Sequence, residues 1–328
     1  MTAGFPPGIV GRCFECYNPA VDPVTHTLVG VGLANAFFRK RIGKPAVPIL
    51  AIASNLPDID GIVMLTGDPA AILMRRTFGH SLFLLPLWAL ALSLIIRRFY
   101  PQLELKRLFG LTLLGALVHL FFDLVNSFGV VLLWPFSDWR PEFGIIFIID
   151  LVLTGLLAAP LLLSRIPPMR GALVALSRGA VVLVSIYILL CAIGRMQAQR
   201  LLEAKSPQPA DFSYVFPEPL GPHRWKGVSR EGKVYRISLV RPFSSGIEPR
   251  DEVTTDLGDP RVEKARSTRL ARRLEWFFKA PVWKVDEGGE RRSQVYVYDL
   301  RFRTLVVDRP APFVFWFEAD DGRVGPGQ

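Results

Sequence analysis

From Val21 to Gly194 long apolar runs alternate with short clusters of arginine and lysine, and this alternation constrains the fold more than any other feature of the chain. Four runs, Gly79 to Ile96, Leu108 to Trp134, Ile145 to Leu163 and Gly179 to Gly194, approach or exceed the length needed to cross about 30 Å of hydrocarbon as helices. Two earlier segments, Val21 to Phe38 and Ala46 to Thr66, are shorter or are broken at Pro57. The pattern predicts a mostly α-helical, multi-pass membrane bundle of four to six helices.

The rest of the chain reads differently. Residues 1–204 hold 11 acids and 17 bases, whereas residues 205–328 hold 18 acids and 22 bases spread as in a soluble domain. Prolines 207, 209, 217, 219 and 222 mark a linker, expected over 201–223. Alternating stretches at Val234–Val240, Gln294–Phe302 and Phe313–Phe317 predict strands. Between them Val262–Lys279 predicts a helix with Leu270, Leu274 and Phe277 on its core face. Residues 224–328 are therefore expected to form a soluble α+β or β-rich domain, and 21–200 the membrane domain.

Of the net charge of +10, +6 falls in residues 1–204, where the bases flank apolar runs as in membrane proteins, and no nucleic-acid motif accompanies it. The clusters Arg39–Lys44, Arg97–Arg107 and Arg165–Arg178 predict cytoplasmic ends, which puts 134–144 and the C-terminal domain on the outer side. Arg75 and Arg76 run against that pattern. Residues 1–20 show no cleavable signal peptide, and their lone Cys13-x-x-Cys16 lacks the second pair of a zinc ribbon. The third cysteine, Cys191, lies in an apolar run.

Ionisable groups inside apolar runs are costly unless paired or bound to metal. Of the four histidines, His26, His80 and His119 lie in this region, with Asp58, Asp60, Asp123 and Asp150; His223 sits in the Pro-rich stretch and reads as structural. Counted from the nearest basic cluster, these seven groups stand 12 to 17 residues away, or about 18–26 Å along a helix. Five segments thus carry them to one depth, in the outer half of the bilayer. His119 and Asp123 are an i, i+4 pair on one helix face, and Asn126 continues that face. The Pro57 break allows Asp58 and Asp60 to turn toward one cation. Imidazoles and carboxylates together suit Zn²⁺ or Mn²⁺, and a set of six, with Asp150 as a further candidate, exceeds what one tetrahedral ion uses, so two ions are expected. For Asp150 a helix cap, or a pair with Arg140 or Arg75, is the competing reading.

The motifs V-D-P-V-T-H-T-L-V-G, N-L-P-D-I-D, G-H-S-L, H-L-F-F-D and P-F-S, spread over residues 21–165, together resemble the YdjM-like family of inner-membrane metal-dependent hydrolases. More distantly, their order is similar to that of zinc-dependent phospholipases C and single-strand nucleases. The resemblance implies His26, Asp58, Asp60, His80, His119 and Asp123 as metal-site residues, a bacterial inner-membrane location, and residues 1–20 as an extension outside the natural protein. The expected activity is metal-dependent hydrolysis of a phosphoester in a lipid-borne or amphiphilic substrate, with Asp58 or Asp60 as general base or bridging ligand. A cation transporter and a non-catalytic metal-stabilised scaffold are the alternatives.

Overall fold

The computed structural model of the chain describes residues 22–205, 210–287, 294–306, 313–319 and 324–326. The Cys13-x-x-Cys16 pair lies outside the described residues.

Helix α1 (Asp22–Leu33) runs through a π-helical turn (Ala34–Phe38) into the short basic α2 (Arg39–Ile42). It crosses α3 (Ala46–Ala53) at Gly30, where a Cβ would lie 2.4 Å from both the Leu50 carbonyl and Ser54 Oγ. Only glycine allows the two backbones to approach so closely. Beyond Ser54 the chain tightens into a 3-10 stretch (Leu56–Thr66) carrying Pro57, and the axis turns by 47°. Two shorter 3-10 turns, Pro69–Met74 and Phe78–His80, precede α4 (Leu85–Phe99), which is bent by 75° from the segment before it. Helix α5 (Leu105–Val125) occupies the middle of the bundle. It is joined to α4 by the 2.8 Å contact of Ser93 Oγ with Thr112 Oγ1, and it packs on α3 where Gly115 meets Ala53. Helices α6 (Leu151–Leu163) and α7 (Leu173–Lys205) complete it.

By length and composition α5 and α7 each can cross a membrane, and the two bent pairs raise the number to four; α6 has 13 residues. Two of the apolar runs extend well beyond the helices they contain. The run from Leu108 ends its helix at Val125, and the run from Ile145 starts one only at Leu151. Residues 126–150 between them fold irregularly instead. Residues 126–131 of this stretch are buried beside the polar centre described below, whereas Phe136, Trp139 and Phe143 are exposed. Outward faces of α4 and α7 remain apolar and exposed, with Leu87, Leu94 and Ile95 on one and Val182, Ile186 and Leu189 on the other.

Helix α7 has 33 residues, about 50 Å at 1.5 Å each, so it outruns the hydrocarbon layer. Its last turns bury Ala198 and Leu202 against Val215, Trp225 and Val240 of the first of two antiparallel sheets. That sheet orders β1 (Phe212–Pro217), β2 (Trp225–Glu231), β3 (Val234–Arg241) and β4 (Gly246–Thr254) as a meander. After α8 (Pro260–Arg266) and α9 (Arg269–Phe277) comes the second, β5 (Pro281–Asp286), β6 (Gln294–Asp299), β7 (Val314–Ala319) and β8 (Val324–Pro326). A shared core of Phe216, Tyr235, Ile237, Val282, Tyr298 and Leu300 joins the two sheets.

Three differences from the sequence reading have physical causes. The single helix expected over Val262–Lys279 is two helices, because Thr268 Oγ1 accepts from Ala271 N at 3.2 Å and starts α9 anew. The strand expected to reach Phe302 ends at Asp299, whose carboxylate accepts from Arg301 N and turns Leu300–Phe302 into a 3-10 coil. The stretch expected as a linker contains the end of α7 and all of β1.

Candidate metal centre

Each side of the centre is set by a local device. The α1/α3 crossing at Gly30 places His26 beside the end of α3, where Ser54 Oγ donates to the His26 carbonyl at 2.7 Å. Helix α5 projects His119 and Asp123 from one face. The turn Phe78–His80 is drawn against the 3-10 stretch at Gly79, where a Cβ would come within 2.0 Å of the Pro57 carbonyl. These devices bring His26, His80, His119 and Asp123 together, all buried.

His80 Nε2 lies 3.1 Å from His119 Nε2 and 2.9 Å from Asp123 Oδ2. His119 Nε2 is 3.4 Å from that same Asp123 oxygen, and His26 Nε2 is 3.2 Å from Asp123 Oδ1. The His26 and His119 rings stack with centroids 3.8 Å apart. The outer nitrogens determine the tautomers: His119 Nδ1 donates to the Ser54 carbonyl at 2.7 Å, and His80 Nδ1 donates to Asp60 Oδ2 at 2.9 Å. With one proton on each ring both Nε2 lone pairs face each other across 3.1 Å, a contact relieved by a cation between the two nitrogens or by a second proton on His80, whose Nε2 then donates to Asp123 Oδ2.

The donor set fits a transition metal on this observation. Ligands about 2.0–2.1 Å from a tetrahedral ion stand about 3.3–3.4 Å from one another, close to the 2.9–3.4 Å separations found. Two overlapping triads, His26/His119/Asp123 and Asp58/His80/His119, keep their ligand atoms within 4.8 Å. Asp60 stands behind His80, as a carboxylate that orients a metal-binding imidazole does. Its Oδ2 also accepts from Thr77 N at 2.8 Å, and its buried Oδ1 has no hydrogen-bond partner among the described residues. Asp58 is ion-paired with Arg75 at 2.9 Å and is the least enclosed of the set, its side chain 14% exposed.

The structure puts Asp150 to other use. Its Oδ1 accepts from Leu153 N at 2.9 Å, capping α6, and its Oδ2 accepts from Tyr187 Oη at 2.7 Å. With His26 it lines a crevice of about 10 Å³, room for about one water. Neither arginine weighed as its partner is engaged with it, since Arg75 holds Asp58 and Arg140 donates to the carbonyls of Phe128 and Arg75. Asn126 accepts from Arg76 Nη1 and from Phe128 N, both at 2.9 Å, and its Nδ2 faces Asp123 at 3.5 Å.

One central residue escaped the sequence reading. Arg76 is buried, donates from Nε to Asp123 Oδ2 at 2.8 Å, lies over the Phe128 ring, and holds a left-handed backbone at φ 58°. Strained backbone of this kind is kept only where its surroundings impose it. The signal was present in the sequence, because Arg75 and Arg76 broke the charge pattern of the flanks.

A family model described as YdjM inner membrane protein matches residues 21–201, more than half of the chain. The chain belongs to the YdjM inner membrane protein family. Every group of the centre lies within the YdjM match, and β1 to β8 lie beyond it. YdjM membership and the apolar helices together identify an inner membrane protein. The chain is also similar to the uncharacterized protein YfhP of Bacillus subtilis (strain 168), at 32% identity over 133 residues. That match covers 38% of this chain and 41% of YfhP. No solved structure matches the chain.

Proposed function

We propose that the chain is a membrane-embedded, metal-dependent hydrolase acting on a phosphoester of a lipid-borne or amphiphilic substrate. The observation that carries this reading is the pair of imidazole nitrogens facing each other beside Asp123, each ring held by an acceptor on its far side. His26, His80, His119 and Asp123 would hold a Zn²⁺ or Mn²⁺ ion, with Asp58 positioned toward a second. A bound ion of this kind supplies a low-pKa water and a Lewis acid for the phosphoryl oxygen.

The chain's own residues supply the rest. Asp60 keeps the His80 proton on Nδ1, which leaves Nε2 free as a ligand. Ser54 does the same for His119 through its carbonyl. Arg76 fixes the Asp123 carboxylate and offsets its charge. Asp58, tethered by Arg75 and partly exposed, is the carboxylate best placed to take a proton from an attacking water. The phosphoester assignment rests on the distant resemblance and on the membrane setting.

Metal analysis of the purified full chain beside His119→Ala and Asp58→Asn, with lipid phosphoesters assayed on the same samples, tests the reading. Stoichiometric metal in wild type, loss of metal in His119→Ala and loss of turnover in both variants are expected. A wild-type protein without stoichiometric transition metal refutes it. A second reading, cation transport, is favoured by the two helix pairs that bend by 47° and 75° beside the centre, since transporters place binding groups at such breaks. Metal uptake into proteoliposomes without phosphoester turnover would select it.

A further inference from the structure

A cleft of about 450 Å³ separates α9 from the loops of the metal centre. One wall carries Arg269, Arg272 and Arg273, all exposed, and Trp276; the other carries Trp134, Pro135, Ser137 and Asp138. Three guanidinium groups thus face one carboxylate. Among the described residues Arg269 and Arg272 have no ion-pair partner, and Arg273 only meets Met74 Sδ at 3.3 Å. The acid of the same helix is turned away, because Glu275 pairs with Arg266 and accepts from Trp283 Nε1. The two walls are tied where Trp276 Nε1 donates to the Asp138 carbonyl at 3.1 Å.

Two further observations give the cleft a direction. Its inner end is lined by Thr77, whose backbone N–H holds Asp60 and whose neighbour is Arg76. Its outer rim continues into Phe136 and Trp139, 78% and 57% exposed, and Phe136 packs edge-on against the exposed Phe83. Exposed aromatic side chains beside an apolar bundle mark the level of lipid headgroups, and unpaired arginines there recognise phosphate.

The geometry points to this cleft as the binding site for the phosphate-bearing headgroup of a membrane amphiphile, with Arg269, Arg272 and Arg273 holding the phosphoryl group and the apolar tail remaining beside Phe83 and Phe136. The inference deepens the proposed function and rests on it for the identity of the phosphoester. It assigns the C-terminal domain, through α9, the recognition of the substrate.

The test is a binding titration of the full chain in a phosphate-free maltoside detergent with dihexanoyl phosphatidic acid, followed by tryptophan fluorescence and calorimetry. Dihexanoylglycerol and inorganic phosphate form the comparison arms. Saturable binding is expected for the phosphatidic acid, at least tenfold tighter than for either comparison ligand. The Arg272→Gln/Arg273→Gln double variant and Arg269→Glu should each weaken it at least tenfold with metal content unchanged, whereas Arg236→Gln on the distant strand β3 leaves it as in wild type. Equal binding by wild type and the arginine variants overturns the proposal, as does dihexanoylglycerol or inorganic phosphate binding as tightly as the phosphatidic acid. The titration needs no turnover, so binding without hydrolysis sinks the hydrolase reading alone, and hydrolysis indifferent to the arginines sinks the cleft alone.

Discussion

Replacing Asp60 by asparagine separates a residue that orients a ligand from one that touches the metal. Asp60 is fully buried and accepts from His80 Nδ1 at 2.9 Å and from Thr77 N at 2.8 Å. Asparagine keeps the shape and one acceptor oxygen but removes the charge. A hydrogen bond to a charged group contributes about 1.5–3 kcal/mol and a neutral one about 0.5–1.5 kcal/mol, so the exchange costs about 1–2 kcal/mol. That is roughly a 5- to 30-fold loss of metal affinity, in keeping with the effect of outer carboxylates on bound imidazoles. Competition with a fluorescent zinc chelator in detergent measures it, with His119→Ala alongside. His119→Ala should fall at least tenfold further, since it removes a ligand atom. Wild-type affinity in Asp60→Asn refutes the orienting role, and a loss as complete as that of His119→Ala shows that Asp60 binds the metal itself.

Other outcomes follow from the same structure. Gly79→Ala puts a Cβ 2.0 Å from the Pro57 carbonyl; it should destabilise the full chain by about 2 kcal/mol or more, seen as a lower melting temperature together with weakened metal binding. In the C-terminal domain, burial pushes the Lys226 ammonium from its ordinary 10.5 down to about 8, with Glu218 acting in the opposite sense. Between about pH 8 and 10 the unfolded chain holds a proton that the folded chain has shed, so stability should rise with pH by up to about 1.4 kcal/mol per unit. Tyr214 and Tyr298, raised to about 12 by burial, oppose this only above their ordinary value of 10.0. Thermal unfolding across that range should show the rise, and Lys226→Met should flatten it. Arg301→Ala removes a buried guanidinium that donates to the carbonyls of Ser127, Phe128 and Phe277 and pairs with Glu142; exposing this seam should speed limited proteolysis of the C-terminal domain, and unchanged proteolysis would show that the domain does not depend on it.

The proximity of His26, His80, His119 and Asp123 was legible because helices convert sequence distance from a basic flank into depth, and because i, i+4 spacing sets a shared face. The roles of Asp58 and Asp60 were not legible, since they depend on a 3-10 stretch whose direction local sequence does not specify. Asp58 turns to Arg75 and Asp60 to His80. Arg76 escaped because a charge reads as surface until the partner that compensates its burial is seen. Hydropathy likewise merged helix with irregular backbone at Asn126–Trp134, where burial by protein and immersion in lipid both select apolar residues. In the C-terminal domain the alternating strands β3 and β7 were readable, while β4, with polar residues on an exposed face, was not.

Helix α7 has a consequence for how the two halves of the molecule move. It crosses from the bundle, where Tyr187 and Cys191 are buried, to the sheet around Trp225 without a break. The β domain therefore rides on the bundle as the load on a mast. The register between Cys191 and Leu202 sets the height at which the α9 arginines stand above the metal centre. Two residues inserted between Gly194 and Ala198 would raise that load by about 3 Å and turn it by roughly 200°, carrying the arginine wall away from the loops it faces.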